Sequence, residues 1–267
     1  MQVIRVVKDQ EIGVRIWMQV CDMLDAMDMP DKKDKDAFQR VVVEIMKKLD
    51  SCKYHYGNLE RILAEAKVSH KPLDGDEMAD HVDLASGAES EVESFLFQGK
   101  SCLDVLAKIL HPIARIKLIS FKDSGKGVIK ALENNTAAEK TDKTKALIEL
   151  IREDQEWIGT WFKSERDVVT HFRSVRSSGI PIKSCIADAT KMEPRHPSGV
   201  IFVELLRVLY ENLLSFCVDF LVLSMRLRFH PGVDVCVLPE DDMDKDYPRK
   251  YGLKFIGQIG NAGPDQK

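Results

Sequence analysis

The chain has 267 residues, of which 44% are hydrophobic and 31% are charged, an ordinary balance for a soluble protein that buries a core. Its formal net charge of -4 excludes a protein that coats nucleic acid through bulk positive charge, so any nucleic-acid contact must be a local basic patch. The six cysteines form no Cys-x-x-Cys pair, and the opening Met-Gln-Val-Ile-Arg has no apolar signal segment. We therefore expect reduced thiols and a cytoplasmic location.

Apolar residues recur at three- and four-residue spacing with few glycines or prolines, which predicts a mainly α-helical protein. The first helix is expected over residues 9–27 and the second over residues 36–67, with Gly57 as a possible interruption. A third helix begins at Asp76 or Asp80 and continues until Pro112 kinks or ends it. These helices provide the first half of a bundle.

Four more helices are predicted along the chain, at residues 128–132, about 144–161, about 161–176 and about 200–229. The last is long and apolar, but Glu204, Arg207 and Asp219 interrupt it, so we expect a buried helix and no membrane span. The acidic run at 240–242 and the glycines beyond it predict an irregular tail.

The predicted fold class is therefore all-α, a multi-helix up-and-down bundle with an irregular C-terminal tail. The expected organisation is an N-terminal helical pair over residues 1–70, a bundle over residues 76–230 and the tail over residues 231–267, or one domain that unites them.

Residues 122–130 contain two glycines and three lysines ahead of a short helix, a composition that suggests a phosphate-binding loop. The Gly-x-x-x-x-Gly-Lys-Ser/Thr pattern is missing, however, and no strand is predicted before the segment. The sequence therefore favours a flexible connector.

The string Arg166-Asp167-Val168-Val169-Thr170-His171 carries the clearest chemical signal. Arginine grips phosphate through a planar fork, and histidine moves protons near neutral pH. On a helical wheel the apolar side chains turn inward, whereas the polar arc comprises Arg166, Asp167, Thr170, His171, Arg173 and Ser174. Asp167 and His171 stand at i and i+4, so the carboxylate can orient the imidazole, but Arg166 and His171 diverge by about 140°. A shared site needs a helix that begins near Arg166, or a second copy of the helix facing it.

An arginine, a polar residue and a histidine at this spacing in an all-α protein resemble the signature of the HEPN superfamily, whose members are helical bundles and often RNases. Arg166, Asp167 and His171 match the motif positions, and the resemblance extends over roughly residues 78–229. It implies a homodimer in which two motif helices form a composite site. His171 would act as general acid or base, and Arg166 would hold the scissile phosphate of RNA.

The resemblance further implies cleavage to a 2',3'-cyclic phosphate and a 5'-hydroxyl with no metal and no cofactor, as in defence or toxin systems. Arg173 and Arg176, on the following turns, could add phosphate contacts. Thr170 would support the site from the same polar arc.

Two other interpretations compete with a nuclease. The polar helix face could line a dimer or partner interface of a helical interaction protein that has no catalytic role. Asp167 and His171 could also ligate a metal, but the sequence has no His-Glu-x-x-His motif and the other histidines lack ligand spacing, so no metal is predicted.

Overall fold

The computed structural model describes residues 10–68, 77–135, 142–165, 201–239 and 249–256. The fold is predominantly α-helical with one small two-stranded sheet, which confirms the predicted all-α class. Its helices, in chain order, are α1 at residues 10–24, α2 at Lys32–Val68, α3 at Glu77–Ala107, α4 at Leu110–Ala114, α5 at Lys126–Asn134, α6 at Asp142–Trp157 and α7 at Phe202–Arg226.

Two of these helices include or adjoin stretches of π-helix. The middle of α1 is π-helical over Gly13–Met18, and α6 is followed by a π-helical segment over Ile158–Glu165. A short 3-10 turn, Lys122–Gly125, precedes α5. The connector predicted at residues 122–130 is thus a defined turn followed by a helix.

Helices α2 and α3 pack side by side and run antiparallel. Residue numbers rise along one helix as they fall along the other in the contacting pairs, which are Ile45 with Cys102, Cys52 with Phe95, and His55 with Glu91. Asp31 caps the start of α2, because its carboxylate accepts a hydrogen bond of 2.8 Å from the backbone of Lys33. The pairing brings the second and third predicted helices together as one layer of the bundle.

The two interruptions expected in these helices have different outcomes. Gly57 leaves α2 continuous over 37 residues. Helix α3 ends at Ala107, and Pro112 lies within the first turn of α4, where a missing backbone N–H does not break a helical hydrogen bond. Arg115 then closes α4 in the left-handed conformation, with a φ of 60°.

Helix α7 forms the centre of the core and contacts α2, α3 and α6. It is long and apolar enough to cross a membrane by length and composition, but 67% of its most apolar window is buried inside the fold. Buried residues from α1 through α7 form one hydrophobic cluster, so the N-terminal helical pair shares its core with the bundle. Cys102 and Cys217 lie in this core with their sulfurs 3.7 Å apart as free thiols.

The predicted irregular tail is wrong in part, because two strands follow α7. Strand β1, Val233–Val237, pairs antiparallel with β2, Tyr251–Phe255. Gln19 of α1 fastens the hairpin: its amide donates a hydrogen bond of 2.8 Å to the Tyr251 carbonyl and accepts one of 2.9 Å from the Tyr251 N–H. The apolar residues Val233 and Val235 pack against the core, which accounts for the strand where a loop was expected.

Candidate functional site

The residues of the predicted motif lie outside the described part of the chain. This holds for all six candidate site residues: Arg166, Asp167, Thr170, His171, Arg173 and Arg176. The described segment before them stops at Glu165, at the end of the π-helical stretch. The structure therefore defines the surroundings of the chain leading into the motif.

The π-helical segment is held against α3 by a close aromatic contact. Phe162 is fully buried and stacks on Phe95 with ring centroids 6.2 Å apart, while Trp157 meets it edge to face at 5.9 Å. Gly99 makes this approach possible, because a Cβ at that position would lie only 2.2 Å from the Phe162 ring. The segment preceding the motif is therefore fixed in place by tight packing.

A cavity of about 260 Å³ opens beside this segment. Its walls come from α3, the 3-10 turn and the π-helical segment, and its polar lining comprises Lys100, Asp104, Ser120, Lys122, Asp123, Ser124 and Lys163. Lysine supplies three of these side chains, so the lining carries more positive than negative groups. Lys163 comes three residues before Arg166 in the sequence, so the described segment that precedes the predicted motif contributes to the cavity wall.

Both carboxylates of the cavity already have partners. Asp104 pairs with Lys100 and accepts a hydrogen bond of 2.7 Å from the Phe121 backbone N–H. Asp123 accepts a hydrogen bond of 3.0 Å from Lys163, and this bond, together with the charges of neighbouring lysines, lowers the pKa of Asp123. The pairs position the cavity walls, and the lowered pKa of Asp123 favours its ionised form.

The 3-10 turn holds three consecutive residues in the left-handed region. Asp123 and Ser124 have φ values of 49° and 56°, and Gly125 follows at 91°. Such backbone costs energy for non-glycine residues and is concentrated at ligand-binding and catalytic sites. Gly159 accommodates the turn, since a Cβ there would lie 2.7 Å from the Ser124 hydroxyl oxygen.

Two other polar clusters in the described residues join neighbouring elements of the fold. His55 Nδ1 and Glu91 Oε2 are 2.6 Å apart, and Asn58 donates to the other Glu91 oxygen at 3.2 Å. Asp219 accepts bonds of 2.7 and 2.8 Å from Lys250, and one of 2.9 Å from the Tyr251 hydroxyl. Burial and Asp219 raise the pKa of Tyr251.

Sequence reasoning missed the cavity lysines as a group. Lys122 lies in the segment considered for phosphate binding, but Lys100 and Lys163 lie in separate helical stretches with no motif of their own. Within the described ranges, no group of three His, Cys, Asp or Glu side chains could hold a metal ion. Comparison with protein families, curated proteins and solved structures finds no match to this chain.

Proposed function

We propose that this protein is a metal-independent endoribonuclease of the HEPN type that acts as a cytoplasmic homodimer. The single observation that carries the proposal is the Arg166-Asp167-x-x-x-His171 string in a chain whose fold is predominantly helical. A nucleotide-binding relative without cleavage activity is the inactive form of the same proposal.

In the proposed reaction, His171 accepts the proton of a ribose 2'-hydroxyl. The 2'-oxygen forms a bond to phosphorus, the bond from phosphorus to the 5'-oxygen breaks, and a protonated imidazole returns a proton to that oxygen. Arg166 binds the phosphate and stabilises the charge that builds on it. The products are a 2',3'-cyclic phosphate and a 5'-hydroxyl, and no electron transfer or metal ion takes part.

Two features of the described chain support the proposal. The segment that leads into Arg166 is π-helical, and π-helical stretches are frequent at functional sites. It is also anchored by the contact of Phe162 with Gly99, so it provides a rigid base for the residues that follow. A catalytic group needs such a base because small displacements reduce the reaction rate strongly.

The main test measures cleavage of labelled single-stranded and structured RNAs by the full-length chain in EDTA. His171→Ala and Arg166→Ala should each lower the rate at least about 100-fold, as the loss of a general acid-base or of charge stabilisation does. Matched controls are His230→Ala and Arg61→Ala, which remove an exposed histidine and an exposed arginine elsewhere and should leave the rate unchanged.

A mixing experiment tests the composite site. Arg166 and His171 from different subunits would make each site, so a dimer of one Arg166→Ala and one His171→Ala subunit keeps one intact pair. Random mixing of the two inactive variants should then restore about a quarter of the activity, because half of the dimers are mixed and each has one of two sites.

Wild-type protein that cleaves none of the RNAs, or cleavage unaffected by both substitutions, would contradict the nuclease. The helical interaction protein would then be the better account, with the polar helix face as its contact surface. A cyclic phosphate at the new 3' end, detected by its resistance to phosphatase until acid opens it, distinguishes this chemistry from metal-dependent hydrolysis.

A further inference from the structure

We propose that the cavity lined by Lys100, Lys122 and Lys163 binds a phosphate group. The described residues that line the cavity are not residues of the Arg166 and His171 motif, and the three lysines come from α3, the 3-10 turn and the π-helical segment. Three lysine side chains that line one space from different elements favour the binding of a small multivalent anion.

The balance of charge favours an anion over a cation. Asp104 is occupied by Lys100 and the Phe121 N–H, and Asp123 is occupied by Lys163, so both carboxylates have their partners. Lys122 forms no ion pair within the described part of the chain, and its side chain is exposed at the cavity. A bound phosphate would provide the counter-charge for Lys122 and share Lys163 with Asp123.

Hydroxyl groups add uncharged donors to the same space. Ser120 and Ser124 line the cavity beside the lysines. Ser124 is held by a left-handed backbone, and Gly159 leaves room for its side chain. Lysine ammonium groups and serine hydroxyls together are donors that phosphate oxygens accept, whereas a metal cation would need free oxygen ligands.

The phosphate could belong to inorganic phosphate, a mononucleotide or an RNA backbone, and the same donors would serve each. Phosphate binding in the cavity does not require that the protein cleaves RNA. It is linked to the nuclease proposal through the sequence alone, because Lys163 precedes Arg166 by three residues.

The test is an NMR titration of the full-length protein with inorganic phosphate, with chloride at matched ionic strength as the reference. Phosphate should cause saturable shifts of the amide signals of Ser124 and Gly125 that chloride does not reproduce. Lys122→Gln should weaken binding about three- to tenfold. Lys145→Gln, which removes an exposed lysine paired with Asp142 outside the cavity, should leave it unchanged.

Asp123→Asn provides a change of opposite sign. Asparagine tolerates the left-handed backbone and keeps the size of the side chain, but it releases Lys163 from its ion pair. Phosphate binding should therefore tighten about two- to fivefold. A residue whose role is only to shape the turn would not produce a gain in affinity.

Parallel titrations with a mononucleotide and with a short single-stranded RNA, in the His171→Ala background, identify the source of the phosphate. The source is the probe that binds most tightly and whose affinity also falls in Lys122→Gln. Absence of any saturable phosphate shift, or equal binding by wild type and Lys122→Gln, would overturn the inference. If phosphate does not bind but RNA cleavage depends on His171, the nuclease proposal is kept and only the phosphate site is refuted. If phosphate binds but no RNA is cut, only the nuclease proposal is refuted.

Discussion

Replacing Gly99 with alanine tests the packing that places the segment before the motif. A Cβ at Gly99 would lie 2.2, 2.7 and 2.9 Å from three carbons of the Phe162 ring, all closer than real Cβ contacts. Phe162 is fully buried between Phe95 and Trp157, so its ring has little freedom to move aside. We therefore expect Gly99→Ala to destabilise the fold although alanine favours helix.

The size of the effect follows from two opposing contributions. Overpacking of a tight core costs about 1–3 kcal/mol, and the short distances favour the upper end. Alanine in place of glycine inside a helix gains about 1 kcal/mol. The net expectation is a loss of about 2 kcal/mol in the free energy of unfolding, which lowers the Tm by roughly 4–8 °C in a chain of this size.

Gly57→Ala is the matched control, because Gly57 also lies inside a long helix but nothing lies within 4 Å of its Cβ position. This variant should gain about 1 kcal/mol, so the two substitutions should change stability in opposite directions. Urea unfolding followed by circular dichroism measures both. A Gly99→Ala protein as stable as Gly57→Ala would refute the placement of Phe162 against α3.

Two smaller changes probe other parts of the fold. Ser224 in α7 is fully buried, and its hydroxyl has no hydrogen-bond partner within the described residues. Ser224→Ala should therefore raise the free energy of unfolding, measured in urea, by about 1 kcal/mol. A loss of stability would contradict the absence of a partner for the Ser224 hydroxyl. Arg226 forms two hydrogen bonds with Asp234, and these bonds lower the pKa of the Asp234 carboxyl. The ion pair therefore stabilises the folded state fully at pH values above the ordinary carboxyl pKa of 3.8. This stabilisation is lost as the pH falls through the lower pKa of Asp234 in the folded state. Asp234→Asn should therefore be less stable than wild type at pH 7 and should approach it in acid, whereas a difference that is constant with pH would exclude the ion pair as the cause.

The helices could be predicted from sequence because their signal is local. Apolar spacing placed the second helix at residues 36–67, and the structure has Lys32–Val68. The possible break at Gly57 was wrong because one glycine costs only about 1 kcal/mol, and packing of the helix against α3 outweighs it. Local propensity could not show that balance.

The two strands have only a weak pattern in the sequence, and the acidic residues between them obscure it. Val233, Val235 and Val237 alternate with polar or small residues, which is the strand period, but a run of acidic residues separates them from their partner strand. Each strand has only five residues, and the pair is stabilised by contacts with distant parts of the chain such as Gln19. Those contacts cannot be inferred from the segment itself.

The two candidate sites also differ in whether the sequence alone could reveal them. The Arg166 and His171 motif is contiguous and could be found in the sequence, and it stays a prediction because it falls outside the described residues. Lys100, Lys122 and Lys163 are far apart along the chain and converge only in the folded protein. A binding site assembled in this way has no pattern that reading along the chain could detect.

The hydrogen bonds between Gln19 and Tyr251 also constrain the order in which the protein folds during synthesis. Gln19 is buried, with an exposed fraction of 1%. The oxygen and the nitrogen of its side-chain amide each form a hydrogen bond with the backbone of Tyr251, 232 positions later. During synthesis on the ribosome, α1 therefore emerges long before its amide can find these partners. The surface of α1 is completed only when β2 arrives, so a ribosome stalled before Tyr251 would leave the Gln19 amide without its two backbone bonds to that strand and the nascent chain open to proteolysis.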